Sequence, residues 1–229
     1  MNLRIFDNLV DLHAAAARTI VQRAQAGARS IALSGGSTPK PLYALLGKSE
    51  ELRALPITWV IVDERYVPLD HPESNAGMIE KTLFAGGMAS SHQFLRFRTE
   101  LNDPAATARK FEDEWRELGL TDLDLVLLGI GDDGHTASLF PGTEVLHVED
   151  RIASEEFVPR LDTWRVTITK PVIRAAKVRM VLATGASKRP ILEQVRAGAD
   201  YPIAQVTKDA GETWWFVDRA AAPEDSPSR

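Results

Sequence analysis

An acid and an imidazole stand two positions apart at Asp133 and His135, inside the run Gly129-Ile130-Gly131-Asp132-Asp133-Gly134-His135-Thr136-Ala137-Ser138-Leu139-Phe140-Pro141-Gly142. A histidine with a carboxylate so close is suited to general-base work near neutral pH. The run also contains Gly-x-Gly-x-x-Gly, the spacing of a dinucleotide fingerprint. Two aspartates would then face a pyrophosphate, and the motif lies in mid-chain, so a tight loop presenting Asp133 and His135 is the better reading. A second loop, Ser34-Gly35-Gly36-Ser37-Thr38-Pro39, joins glycines that let an anion approach the backbone to hydroxyls and a helix-starting proline. Gly35, Gly36, Ser37 and Thr38 are therefore candidate phosphate ligands, although the P-loop spacing is absent. Thr184-Gly185-Ala186-Ser187-Lys188 places a lysine where a helix dipole disfavours it, which makes sense if Lys188 faces an anion. Taken singly, Lys188, Arg165 and the charges of Asp63-Glu64-Arg65 read more readily as solvated side chains, and capping suffices to explain Ser74-Asn75.

These residues need elements to hold them. Short apolar runs at Ile31-Ala32-Leu33, Ile57 to Val62, Leu123 to Leu128 and Val178 to Ala183 predict buried strands, and Arg165 to Thr169 alternates as a further strand. Leu9, Leu12, Ala16, Ile20 and Ala24 recur at helical spacing before Gly27. Further helices are expected over Pro39 to Leu46, Pro104 to Leu118 and Pro190 to Ala197. Strands alternating with helices imply an α/β fold with a mainly parallel sheet, whose ligand site lies beyond the carboxyl ends of its strands. That places the site in the loops after Leu33, Val62, Leu128 and Ala183. No repeat or long linker interrupts residues 1–219, which are expected to form one α/β domain. Residues 220–229, rich in Ala, Pro and Ser, are expected to be a flexible tail.

Composition excludes several classes. The 229 residues are 44% hydrophobic and 26% charged, as in a globular chain that can bury a full core. There is no cysteine, hence no thiolate nucleophile and no Cys-ligated metal. The 32 acidic against 27 basic residues give a charge of −5, which argues against nucleic acid as a partner. No apolar stretch approaches the ~20 residues of a membrane span, and the N-terminal residues lack a leader pattern, so no membrane partner and a cytoplasmic location are expected.

Taken together, the Ser34–Pro39 loop, Asp63-Glu64-Arg65, Ser74-Asn75, the Gly129–Pro141 run, Arg165-Val166-Thr167-Ile168-Thr169 and Gly185-Ala186-Ser187-Lys188 resemble, in order and over nearly the whole chain, the motifs of the 6-phosphogluconolactonases. That resemblance implies a modified Rossmann-like α/β fold with a mainly parallel sheet and a smaller mixed α/β portion. It implies hydrolysis of 6-phospho-D-glucono-1,5-lactone, the second step of the oxidative pentose phosphate pathway, without cofactor or metal. The expected partner is a phosphorylated sugar lactone, and the expected state a monomer or weak homodimer. His135 would be the general base, oriented by Asp133, with Arg65 supporting the oxyanion. Gly35, Gly36, Ser37, Thr38, Asp63, Arg165 and Lys188 would hold the substrate and its phosphate. The family usually has Pro where this chain has Asp132, so Asp132 is left out of the site. The related glucosamine-6-phosphate deaminases typically carry a glutamate a few residues beyond the histidine. Thr136-Ala137-Ser138-Leu139-Phe140 supplies no acid there.

Overall fold

The computed structural model describes residues 1–224. Its ten strands are β1 (Leu3–Phe6), β2 (Ser30–Leu33), β3 (Thr58–Ile61), β4 (Asp63–Arg65), β5 (Gln93–Leu95), β6 (Leu125–Leu128), β7 (Ala153–Val158), β8 (Thr163–Ile168), β9 (Val178–Ala183) and β10 (Glu212–Asp218). The helices are α1 (Leu9–Gln25), α2 (Lys40–Leu46), α3 (Glu50–Arg53), α4 (Asn75–Thr82), α5 (Pro104–Glu117), α6 (Lys170–Ala175), α7 (Arg189–Arg196) and α8 (Pro202–Thr207).

Seven strands form one parallel sheet in the order β1-β10-β9-β6-β2-β3-β5. Strands β2, β6 and β9 are buried along their whole length, which is why they read as unbroken apolar runs. From β2 the chain goes to β3 on one side, and β6 takes the other side. Crevices open at such a reversal of strand order, here between the carboxyl ends of β2 and β6. The smaller sheet, β4-β8-β7, is antiparallel throughout.

Helix boundaries follow local chemistry. Asn8 caps α1 by accepting the Asp11 N–H, Asp103 caps α5 by accepting those of Ala105 and Ala106, and Ser74 caps α4 by accepting that of Gly77. On α1, Leu12, Ala16, Ile20 and Ala24 are buried as their spacing predicts, whereas Leu9 is exposed at the helix start.

Two expectations need correction. Asp63-Glu64-Arg65 is not a solvated loop: Val62 alone separates β3 from β4, and the chain passes directly from one sheet into the other. The segment beyond Ala220 does not leave the surface at once, since Ala221 and Ala222 are buried and the Ala221 N–H donates to Asp218. The rest of that segment, 225–229, lies outside the described residues. Among the described residues no helix is long and apolar enough to cross a membrane.

Candidate active site

The loops after β2, β6 and β9, together with strands β4 and β8, converge on a cleft of about 410 Å³. Of the candidate site residues, Gly35, Gly36, Ser37, Thr38, Asp63, Arg65, His135, Arg165 and Lys188 line it, whereas Asp133 is bonded to His135 without lining it.

The loop after β6 is folded by its own hydrogen bonds. Gly131 N–H donates to the His135 carbonyl at 2.8 Å, and Gly134 N–H to the Gly131 carbonyl at 3.0 Å. Gly134 has φ +76°, and the Tyr201 ring covers it so closely that a Cβ would lie 2.5 Å from it. The turn brings His135 Nδ1 to 2.5 Å from Asp133 Oδ1, which also accepts the His135 backbone N–H at 3.2 Å. Burial acts against ionisation of Asp133, but the His135 contacts, helped by Arg160, outweigh it and hold this carboxyl below its ordinary range. An ionised carboxylate only accepts, so Nδ1 is the donor to Asp133, and in the neutral imidazole the lone pair falls on Nε2. The imidazole rests against the Phe140 ring, centroids 4.4 Å apart.

Across the crevice, the Ser34–Pro39 loop is anchored from two sides. Buried His13 of α1 places Nε2 2.8 Å from the Thr38 carbonyl, and the Tyr43 hydroxyl donates to the Ser34 carbonyl at 2.5 Å. Burial pushes the Tyr43 hydroxyl's pKa far up, so it remains a donor. Gly36, at φ +97°, and Ser37 are exposed, whereas Gly35 is pressed against Asn75, where a Cβ would fall 1.8 Å from Oδ1.

The small sheet contributes the charges. Glu64 is buried and accepts the N–H groups of Arg65, Asn75 and Ala76 together with the Ser74 hydroxyl, fastening β4 to the start of α4. Its burial raises the carboxyl pKa, partly offset by those donors. Asp63 is buried too. Its Oδ2 accepts the Ser138 hydroxyl at 2.7 Å, so it supports the loop that follows His135 as well as lining the cleft.

Arg65 and Arg165 are direct cross-strand partners in β4 and β8, a pairing of like charges that costs stability unless something anionic answers it. Arg165 is the third residue of its strand, not the first. Burial and the Arg65 charge both lower its pKa. Its Nε is the buried side-chain polar atom left without a partner among the described residues. Arg65 Nη1 donates to the Glu73 carbonyl at 2.7 Å. Lys188 lines the same cleft, but its ammonium lies 2.7 Å from Oδ1 of Asp132. Asp132 therefore does bear on the site, as the counter-ion of Lys188.

Sequence reasoning missed Arg160, whose guanidinium pairs with Asp133 Oδ2. It also missed His13, Thr184 and Ser138 as parts of the cleft or its supports. A turn bearing one arginine between two alternating segments is too common a pattern to have flagged Arg160. Among the described residues no three His, Cys, Asp or Glu side chains are grouped to hold a metal.

Fold and site define a class: a parallel α/β protein with a glycine-serine anion loop and an Asp–His pair on either side of the strand-order reversal. A family model described as glucosamine-6-phosphate isomerases/6-phosphogluconolactonase matches residues 5–215. A 6-phosphogluconolactonase of a Nostoc species is 40% identical over 216 residues, covering 87% of this chain and 86% of its own. That of Homo sapiens is 32% identical, covering 96% and 92%. The 6-phosphogluconolactonase structure from Trypanosoma cruzi superposes with a TM-score of 0.86 at 30% identity, over 99% of this chain and 97% of the other. A monomeric glucosamine-6-phosphate deaminase, at 22% identity and a TM-score of 0.80, shares the fold. The chain belongs to the glucosamine-6-phosphate isomerase/6-phosphogluconolactonase family, on its 6-phosphogluconolactonase branch.

Proposed function

We propose that the protein hydrolyses 6-phospho-D-glucono-1,5-lactone to 6-phospho-D-gluconate in the oxidative pentose phosphate pathway, with His135 as the general base. The observation that carries the reading is the 2.5 Å contact between Asp133 and Nδ1 of an imidazole lining the cleft. It leaves Nε2 free to take a proton from water as the water oxygen bonds to the lactone carbonyl carbon. Charge then builds on the carbonyl oxygen, and Arg65 is the donor assigned to support it. When the tetrahedral intermediate collapses, the ring C–O bond breaks and the imidazolium returns its proton to the departing oxygen. Water has been added across the ester, and His135 is neutral again. A lactone is already an activated ester, so no cofactor or covalent nucleophile is invoked.

The phosphate is assigned to the amides and hydroxyls of Gly35, Gly36, Ser37 and Thr38, with Arg165 and Lys188 supplying charge and Asp63 meeting sugar hydroxyls. The unpartnered Nε of Arg165 and the like-charged Arg65–Arg165 pair favour an anion there. The test is lactone hydrolysis with freshly made substrate, corrected for the spontaneous reaction, beside a glucosamine 6-phosphate deamination assay. Lactone turnover with no deamination is expected, and H135Q should lower kcat by ~10²–10⁴-fold while leaving the fold intact. Near-normal kcat in H135Q overturns the base assignment.

A further inference from the structure

Arg160 belongs to none of the motifs, yet it touches both groups that hold the imidazole. It sits in the short turn Pro159–Leu161 that joins β7 to β8, closed by Asp162 in the left-handed region at φ +45°. Beneath the turn the strands pair Val158 with Thr163 and Phe157 with Trp164, and the two aromatic rings meet at 5.4 Å. The turn thus brings the Arg160 guanidinium to the cleft. There it pairs with Asp133 Oδ2, while Oδ1 of the same carboxylate holds His135. The guanidinium also lies over the Phe140 ring, 4.9 Å from its centroid, and the same ring contacts His135, centroids 4.4 Å apart. We infer that Arg160 is a positioning residue, which acts through Asp133 and Phe140 to hold His135 in the orientation and tautomer that leave Nε2 free. The inference rests on the reading of His135 as the base.

Its exposure makes a packing role a poor explanation. The Arg160 side chain is 53% exposed, and an ion pair so open contributes about 0–1 kcal/mol to stability. The geometric effect is larger. A carboxylate held at one oxygen turns about its own bond, whereas one held at both presents Oδ1 to Nδ1 in a fixed direction. The hairpin that carries Arg160 also carries Arg165 two residues beyond Thr163, so the support of the base and the proposed anion site share one element. The remaining charged groups of the cleft are Asp63, Arg65 and Arg165 from the small sheet, and Lys188, itself paired with Asp132. Arg160 is the cation among them that is bonded to Asp133.

The experiment compares R160M, R160Q and R160K with the unaltered protein. In R160M and R160Q kcat should fall roughly 10-fold, less than the ~10² expected for a full 1 Å misplacement, with KM changed less than about 3-fold. Removing a cation from beside the pair favours its protonated form, so the acid limb of the kcat/KM profile should move to higher pH by about half a unit. R160K, which keeps the charge but not the fork, should recover part of kcat. Proton NMR gives a readout independent of turnover. The His135 ring N–H signal, assigned by its loss in H135Q, should exchange faster with solvent in R160M. A raised KM at unchanged kcat would make Arg160 a substrate contact and overturn the inference, as would an unaltered pH profile and ring signal. If H135Q remained active while R160M still altered the ring signal, the base assignment alone would fail.

Discussion

Replacing Gly131 by Ala is the sharpest test of the loop geometry, because it adds one methyl group where the structure has no room. The backbone itself tolerates the change: Gly131 is not among the glycines with positive φ, and Gly→Ala at a compatible position stabilises by about 0.4–1 kcal/mol through the unfolded chain. The new Cβ, however, would fall 1.9 Å from His135 Nδ1, 2.2 Å from its Cε1 and 2.7 Å from Asp133 Oδ1. Ordinary contact begins at 3.4 Å, so the imidazole would have to retreat by about 1.5 Å. A 2.5 Å bond to Asp133 does not survive such a shift in place. Misplacement by ~1 Å costs on the order of 10²-fold, and loss of general-base catalysis ~10²–10⁴-fold, so kcat should fall by at least ~10². Both obstructing groups are partly exposed side chains that can swing outward, and Tm should change by only a few degrees. The assay is kcat on the lactone beside a thermal melt. If G131A kept kcat within about threefold of the parent at an unchanged Tm, the contact between Asp133 and His135 would not be what the chemistry uses.

The remaining predictions concern charge. Arg165→Met removes an unpartnered buried nitrogen and the repulsion from Arg65, so Tm should hold or rise while KM for the phosphorylated lactone rises at least tenfold; an unchanged KM would remove Arg165 from the anion site. Asp124 accepts the N–H groups of Arg29 and Ser30 and lies 2.7 Å from the Lys177 ammonium, which together outweigh its burial and depress its pKa. Its contribution is complete above the ordinary carboxylate pKa of about 3.9 and is lost as pH falls through the lower folded value. Asp124→Asn should cost about 2 kcal/mol at neutral pH. It should also flatten the acid limb of the stability curve, and equal acid sensitivity in both proteins would refute the assignment.

What the sequence disclosed follows from how far each interaction reaches along the chain. Strand β9 occupies the residues its apolar run marks, and α5 and α7 agree with expectation within a residue, because period and caps are local. Strand β1 was missed: it is a four-residue edge strand, nowhere fully buried, and too short for its pattern to stand out. Strand β10, by contrast, contains the apolar run Trp214 to Val217, a local signal of the same kind as that of β9. Asp63, Glu64 and Arg65 look solvated because isolated charges usually are. They enter a sheet because the N–H groups at the start of α4 satisfy Glu64 and the Ser138 hydroxyl reaches Asp63. Each of those partners is ten or more residues away. Arg160 is the extreme case, since its contact with Asp133 exists only after β7 and β8 have paired.

On the proposed function, the distribution of charge, rather than its sum, would make the cleft selective. The chain carries −5 overall, yet four cations face one pocket, and each is handled differently. Arg160 is balanced by Asp133 and Lys188 by Asp132, while Arg65 has a backbone carbonyl and Arg165 Nε has no partner. Two adjacent aspartates thus divide one loop between two tasks, Asp133 toward the imidazole and Asp132 toward the lysine. An arriving phosphate dianion meets the unbalanced guanidiniums first. It would then compete with the exposed Asp132 carboxylate for the ammonium of the largely covered Lys188. An uncharged lactone could offer Arg165 only neutral acceptors and has no charge with which to compete with Asp132 for Lys188. On the proposed assignment, the unpartnered Nε of Arg165 would therefore favour phosphorylated over unphosphorylated substrate, before any contact with the sugar ring is counted.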